Sequence, residues 1–306
     1  MSQALRTCPL CDAADFKELY VTRDCHYGIS GTYRVVRCVQ CFLVMLNPMY
    51  SDKELATLYP SDYYAYQDKF RMREWRELAR RMLGYHVGTK DPRFEVPGTI
   101  LDLGCGSGWF LDSMRSRGWK TYGVEISEQA AALGKSRGLQ ICCGTLQDAQ
   151  FSPELFDYVR ANHSFEHISC PNETLREIHR ILRPQGKLLI GVPNINSLNA
   201  RAFKQYWWHL CAPVHTFNYS KDTLCRILVK HGFQVEKVSF NSDFFGILGS
   251  LQIWVNRKNG KKSMDGMLVN NYFLRFACQC AANLCDLAGQ GDMIEITAVK
   301  AEQGRS

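Results

Sequence analysis

Three glycines at alternate positions, Gly104, Gly106 and Gly108, follow the run Thr99-Ile100-Leu101-Asp102-Leu103 and precede an apolar-periodic stretch that starts at Trp109. Glycine tolerates positive φ and carries no Cβ, so such a turn bends sharply and lets a ligand approach the backbone. Exposed N–H groups at a helix start favour the negative end of that ligand, here a carboxylate. Seventeen residues beyond Gly108, Glu125 ends the run Tyr122-Gly123-Val124. A carboxylate there can accept hydrogen bonds from both hydroxyls of a ribose at the edge of a sheet. The spacing is Asp-Leu-Gly-Cys-Gly-Ser-Gly rather than Gly-x-Gly-x-x-Gly, so the third glycine comes one residue early for a pyrophosphate fingerprint.

A second chemistry lies near the N-terminus. Cys8-Pro9-Leu10-Cys11 and Cys38-Val39-Gln40-Cys41 are two Cys-x-x-Cys knuckles separated by twenty-six residues. Four thiolates from such a pair complete a tetrahedral zinc shell and leave no position for substrate, so the metal they predict is structural. Cys25 and His26 fall inside the loop as alternative ligands. A redox pair is the weaker reading, because neither knuckle opens a helix after a buried strand.

The elements that must position these groups follow from periodicity. Residues 100–103, 120–125 and 139–143 read as strands, with helices over 109–117 and 127–137 between them, and 156–162 and 187–192 as further strands. A helix is expected over 176–186. Two later strands fall at 233–240 and 293–300. Tyr33 to Arg37 alternates like a hairpin strand leading into the second knuckle. Residues 51–90 read as helical: Ser51 and Glu54 fit a capping box, and Trp75, Leu78, Met82 and Leu83 recur at helical spacing. The arginines of that stretch suit a solvated face. A helix over 268–287 carries Asn270, Asn271, Arg275, Gln279, Asn283 and Asp286, too many polar groups to cross a membrane cheaply.

The glycine turn followed by an acid-ended strand resembles the class I S-adenosylmethionine-dependent methyltransferases, as does the run from Leu182 to Asn194. With the zinc-binding head it resembles a subset acting on sugars and secondary metabolites. The resemblance implies an α/β, Rossmann-like sheet of seven mostly parallel strands with helices on both faces, the last strand antiparallel between the fifth and sixth. To this are added a zinc-ribbon-like module and a helical cap. It divides the chain into a zinc module over 1–50, a helical linker and cofactor cover over 51–95, and a methyltransferase domain over 96–306 with a lid (195–219) and an insertion (242–291). It implies that Asp102, Gly104, Gly106, Gly108, Glu125, Asp148 and Asn162 hold S-adenosylmethionine. Asp148 fits by type, although the family's acid commonly directly follows the glycine, where Thr145 stands here. Glu166-His167 resembles the family's post-strand pair and reads either as a proton acceptor or as a fixed loop start. His215 lies where relatives carry a histidine in a Pro-x-His run. His209, between tryptophans and apolar residues, reads as a packed side chain. One of Tyr59, Tyr63, Tyr64 and Tyr66 is placed to touch the cofactor, with plain packing the alternative.

Composition limits the rest. The 306 residues, 46% hydrophobic and 22% charged, suit a folded globular chain, and a net charge of +7 is modest. Nucleic-acid binding would need a clustered basic stripe, so no nucleic-acid partner is expected. Met1-Ser2-Gln3-Ala4-Leu5-Arg6 has no apolar core for a signal peptide, and no run of about 18 apolar residues spans a bilayer. A cytoplasmic protein with reduced thiols is expected despite its 14 cysteines. The expected reaction moves a methyl group to a sugar, lipid-linked or secondary-metabolite hydroxyl or carbon, with His215 or His167 as base and Glu166 beside it. A protein or RNA methyltransferase docking through the zinc module, and a non-catalytic cofactor-binding scaffold, are the competing readings. The 268–287 helix is expected to cap the substrate site or form a homodimer face, with contact to a membrane surface as a further option.

Overall fold

Short apolar runs that end in glycine or an acid, spaced by amphipathic segments, form here the parallel strands and crossover helices they predict. The computed structural model describes residues 6–58, 96–257 and 266–301. The helix expected over 70–86 and the tyrosines Tyr59, Tyr63, Tyr64 and Tyr66 lie outside them. Strands β1 (Phe16–Thr22), β2 (Tyr33–Cys38) and β3 (Val44–Leu46) come first, then helix α1 (Asp52–Leu58). The capping box at its start forms, with Ser51 N donating to Glu54 Oε2 at 2.9 Å and Glu54 N to Ser51 Oγ at 3.4 Å.

The larger unit runs β4 (Thr99–Leu103), α2 (Trp109–Arg115), β5 (Lys120–Glu125), α3 (Glu128–Ser136), β6 (Gln140–Cys143), β7 (Phe156–Asn162), α4 (Pro171–Ile181) and β8 (Leu182–Pro193). It continues with α5 (Leu198–Phe203), β9 (Phe217–Asn218), α6 (Lys221–Lys230), β10 (Phe233–Phe240), α7 (Phe245–Asn256), α8 (Tyr272–Leu287) and β11 (Met293–Lys300). The seven-stranded sheet has the order β10-β11-β8-β7-β4-β5-β6. Its pairs from β8 through β6 are parallel, and β11 lies antiparallel between β10 and β8.

Helices cover both faces. Phe110, Leu111 and Met114 of α2 are buried with Ala131 of α3 on one side. Leu175 and Ile178 of α4 are buried with Leu224, Ile227 and Leu228 of α6 on the other. The second core continues without a break into Cys8, Leu43 and Met45 of the N-terminal module. A four-stranded sheet, β1-β2-β3-β9, explains that continuity. Its last strand belongs to the 195–219 segment, the expected lid, so the module and that segment share a sheet.

Two helices differ from expectation. The helix expected over 176–186 runs Pro171–Ile181. Proline fits its first turn, whereas Pro184 forces the residue before it toward extended backbone, so β8 starts at Leu182. The helix expected from 268 begins at Tyr272, where Asn271 caps it by accepting from Leu274 N at 3.1 Å. That helix buries Gln279 and Ala282 and turns Tyr272, Phe273, Phe276, Leu284 and Leu287 outward. Among the described residues, no helix is long and apolar enough to cross a membrane.

Candidate active site

The glycine turn leaves β4 with φ of +74° at Gly104, +55° at Gly106 and +82° at Gly108. A Cβ on Gly104 would meet Ser164 Cβ at 2.5 Å, so this position is closed to larger residues by contact as well as by φ. The Gly104 and Cys105 amides donate to Val124 O at 2.8 and 3.1 Å. Gly106 N donates to Glu125 Oε2 at 2.8 Å, and Ser127 N to Oε1 at 2.9 Å. Burial raises the Glu125 pKa, and these amides pull it back. A carboxylate oxygen accepts more than one hydrogen bond, so both can still serve a ribose.

Asp102 lies beneath this turn, 2% exposed, with Oδ1 accepting from Arg160 Nη1 at 2.7 Å. The Arg160 guanidinium stacks over Phe110 with its carbon 4.1 Å from the ring centre. Asp148 folds back on the start of its loop: its Oδ2 accepts from Thr145 N at 2.8 Å and Thr145 Oγ1 at 2.7 Å. An exposed carboxylate thus reaches the position directly after Gly144 from three residues further on. Asn162 ends β7, half-buried, in register with Gly191 of β8.

The histidines gather around Glu166. A 3-10 turn over Phe165–His167 follows β7 and buries Glu166 to 1% exposure. Neither of its carboxylate oxygens has a hydrogen-bond partner among the described residues. Oε1 lies 3.9 Å from His215 Nε2 and 3.8 Å from His163 Nδ1. His167 Nδ1 is 2.9 Å from Val214 O, and His215 Nδ1 is 2.8 Å from His209 O. A carbonyl only accepts, so each ring carries its proton on Nδ1 and its lone pair on Nε2. The two rings meet edge to face at 4.6 Å. Burial pushes the Glu166 carboxyl up to about 8 and His167 down to about 4. His215 is also driven down, by burial and then by the neighbouring His167. Neutral imidazoles with the lone pair on Nε2 can accept a proton or bind a metal ion.

The two knuckles have the same backbone. Cys8 N donates to Ala13 O and Asp12 N to Cys8 O, each at 2.8 Å. Cys38 N donates to Leu43 O at 2.9 Å and Phe42 N to Cys38 O at 3.1 Å. Each loop turns through a left-handed residue, Asp12 at +60° and Phe42 at +66°. Their four Sγ atoms lie within 4.8 Å of one another, with Cys8–Cys41 at 3.4 Å and Cys11–Cys38 at 3.5 Å. A tetrahedral zinc–thiolate shell has neighbouring sulfurs about 3.8 Å apart, so the donor set fits zinc with slight expansion. Cys25 lies outside that group.

Two buried groups escaped the sequence. Arg160 is one, inside an apolar strand. Asp292 is the other, 1% exposed. Its Oδ1 accepts from Ser197 Oγ at 2.7 Å and Trp207 Nε1 at 3.0 Å, and Oδ2 from Asn199 Nδ2 at 2.6 Å. The only sequence sign of it is a lone acid directly before an apolar strand.

The methyltransferase domain family matches residues 66–238. A ubiquinone biosynthesis O-methyltransferase of Pseudomonas paraeruginosa is 31% identical over 107 residues, 32% of this chain and 45% of that protein. The chain spans about half the length of the curated relatives it matches. Among solved structures, phosphoethanolamine N-methyltransferase 2 of Haemonchus contortus with S-adenosyl-L-methionine has a TM-score of 0.53 at 18% identity, covering 85% of this chain and 63% of that one. A chain from the complex of the Haloferax volcanii Trm112 methyltransferase activator with a methyltransferase has a TM-score of 0.51 at 18% identity, covering 78% and 99%. Both likenesses are of fold.

Proposed function

The chain belongs to the class I S-adenosylmethionine-dependent methyltransferases, and from that premise we propose that it moves the cofactor's methyl group to a small-molecule hydroxyl or acidic carbon. The cofactor lies over the turn of Gly104, Gly106 and Gly108 with its ribose on Glu125, its adenine toward Asp148 and its methionine end toward Asn162; Asp102 supports the turn from below. One observation carries this reading. Ser164 contacts Gly104 and donates to Leu103 O at 2.6 Å, and two residues further on Glu166 begins the histidine cluster. The proton-accepting groups therefore adjoin the turn that grips the donor.

Methyl transfer from a sulfonium is an in-line displacement that needs positioning and removal of the acceptor's proton. His215 is the best placed base, with His167 next to it and Glu166 behind both. The curated relatives named as O-methyltransferases support a hydroxyl acceptor, and within that class the acceptor is a sugar, lipid-linked or secondary-metabolite molecule. Zinc on Cys8, Cys11, Cys38 and Cys41 is structural in this reading. A second copy of the chain and a lipid surface both suit the outward apolar face of α8; sedimentation and vesicle flotation separate them.

Calorimetry with S-adenosylmethionine and S-adenosylhomocysteine tests the premise. Both should bind the purified chain, and Glu125→Ala should weaken them at least about tenfold through lost hydrogen bonds to a charged group. No heat with either compound overturns the assignment. Turnover with labelled cofactor on hydroxyl-bearing acceptors then tests the acceptor class, and full turnover by His215→Gln would exclude that ring as base.

A further inference from the structure

We propose that Glu166, His167 and His215 form a binding site for one divalent transition-metal ion of the zinc class, separate from the four-cysteine cluster. Each side chain offers one ligand atom, and the three atoms lie within 4.8 Å of one another. One side of that triangle, Glu166 Oε1 to His215 Nε2, is 3.9 Å. Ligand atoms around an ion with bonds of about 2.1 Å sit roughly 3–3.5 Å apart, so the set closes on a metal by a shift of less than 1 Å.

The surroundings fit metal ligation. Imidazole ligands ordinarily donate their second nitrogen to a carbonyl or carboxylate, which fixes the tautomer and aims the lone pair. Both rings do so here, His167 to Val214 O and His215 to His209 O. The Glu166 carboxylate is 1% exposed, and neither oxygen has a hydrogen-bond partner among the described residues. A buried carboxylate so placed is costly unless a cation meets it. Two imidazoles and one carboxylate favour zinc, cobalt, nickel, manganese or ferrous iron over calcium or magnesium, which prefer all-oxygen shells. Three ligands also leave a coordination position open.

The site itself rests on this geometry; its use in turnover rests on the methyl-transfer reading and refines it. The acceptor hydroxyl takes the open position and is acidified by the ion. Its O–H bond breaks with the proton passing to solvent water. The new O–C bond forms as the C–S bond breaks and S-adenosylhomocysteine leaves, with no net oxidation. The lone pairs of His167 and His215 hold the ion, so this route replaces direct proton abstraction by those rings.

Cobalt tests it on the whole chain. Protein stripped of metal and titrated with Co²⁺ should take about two ions per chain, one with intense thiolate charge-transfer bands and one with only weak visible bands of nitrogen and oxygen ligation. Glu166→Gln with His215→Ala should remove the second set and keep the thiolate bands, which also report that the variant is folded. Wild-type protein that takes about one ion, all thiolate-bound, overturns the site whether or not the variant folds. Calorimetry with S-adenosylhomocysteine on the same samples keeps the outcomes apart. Cofactor binding with one cobalt returns proton removal to an imidazole; two cobalt ions without cofactor binding leave the metal site and remove the methyltransferase reading.

Discussion

Glu125 is asked to do two things with one carboxylate. It holds the Gly106 and Ser127 amides, and in the proposed complex it also accepts the ribose hydroxyls. Because burial raises its pKa, it protonates at higher pH than an ordinary glutamate, and protonation removes acceptor capacity. Cofactor affinity measured by calorimetry should therefore fall as pH drops, beginning above 4.5, the ordinary value. Glu125→Gln should bind weakly with a flat pH profile over the same range. The Asp102–Arg160 pair makes a different demand. Arg160→Ala leaves a carboxylate that is 2% exposed without its partner, and urea unfolding should show a loss of about 3–5 kcal/mol. Asp102→Asn combined with Arg160→Met should recover much of that loss, since the buried charge is gone.

At the scale of elements, the loop before β11 matters most. Asp292 receives Ser197, Asn199 and Trp207 from the lid, and its own amide donates to Ser242 Oγ at 2.6 Å at the start of the insertion. Through its carboxylate and its amide, one residue thus joins the loop before β11 to the 195–219 segment and to the start of the insertion, which periodicity shows only as loops. Asp292→Ala should destabilise the fold by about 3 kcal/mol or more by orphaning buried donors. Amide exchange over 197–207 should rise before exchange in β4 and β5 does. The parallel strands were legible in the sequence because each is a short apolar run with a turn signal. The helix starts were less so. Pro184 and Asn271 each shifted an end by several residues, since caps and proline restrictions override a periodic pattern.

Across the whole molecule, the cysteine module is hydrogen-bonded to the expected lid segment. Leu46 N of β3 donates to Thr216 O at 3.0 Å, and Thr216 Oγ1 donates to His167 O at 3.2 Å. Asn172 Nδ2 and Lys230 Nζ reach Pro9 O from α4 and α6 at 2.9 and 3.1 Å. Cys11→Ser, which removes one of the four clustered thiols, should increase amide exchange at 215–218 and raise KM for the acceptor. S-adenosylhomocysteine affinity should stay within about twofold, because the glycine turn and Glu125 belong to the other sheet and distant sites act independently.

By itself the sequence determined the parallel sheet, the glycine turn with Glu125, and the pair of cysteine knuckles. These are written in spacings of a few residues, where backbone geometry and residue type suffice. Only the tertiary structure decided that Asp102 meets Arg160 across 58 residues, that Trp207 meets Asp292 across 85, and that His215 of the lid comes to Glu166. Such meetings depend on which strands lie side by side and on a lid strand completing the module's sheet. No local spacing encodes that, because burial of a shared core, rather than any one segment, selects it.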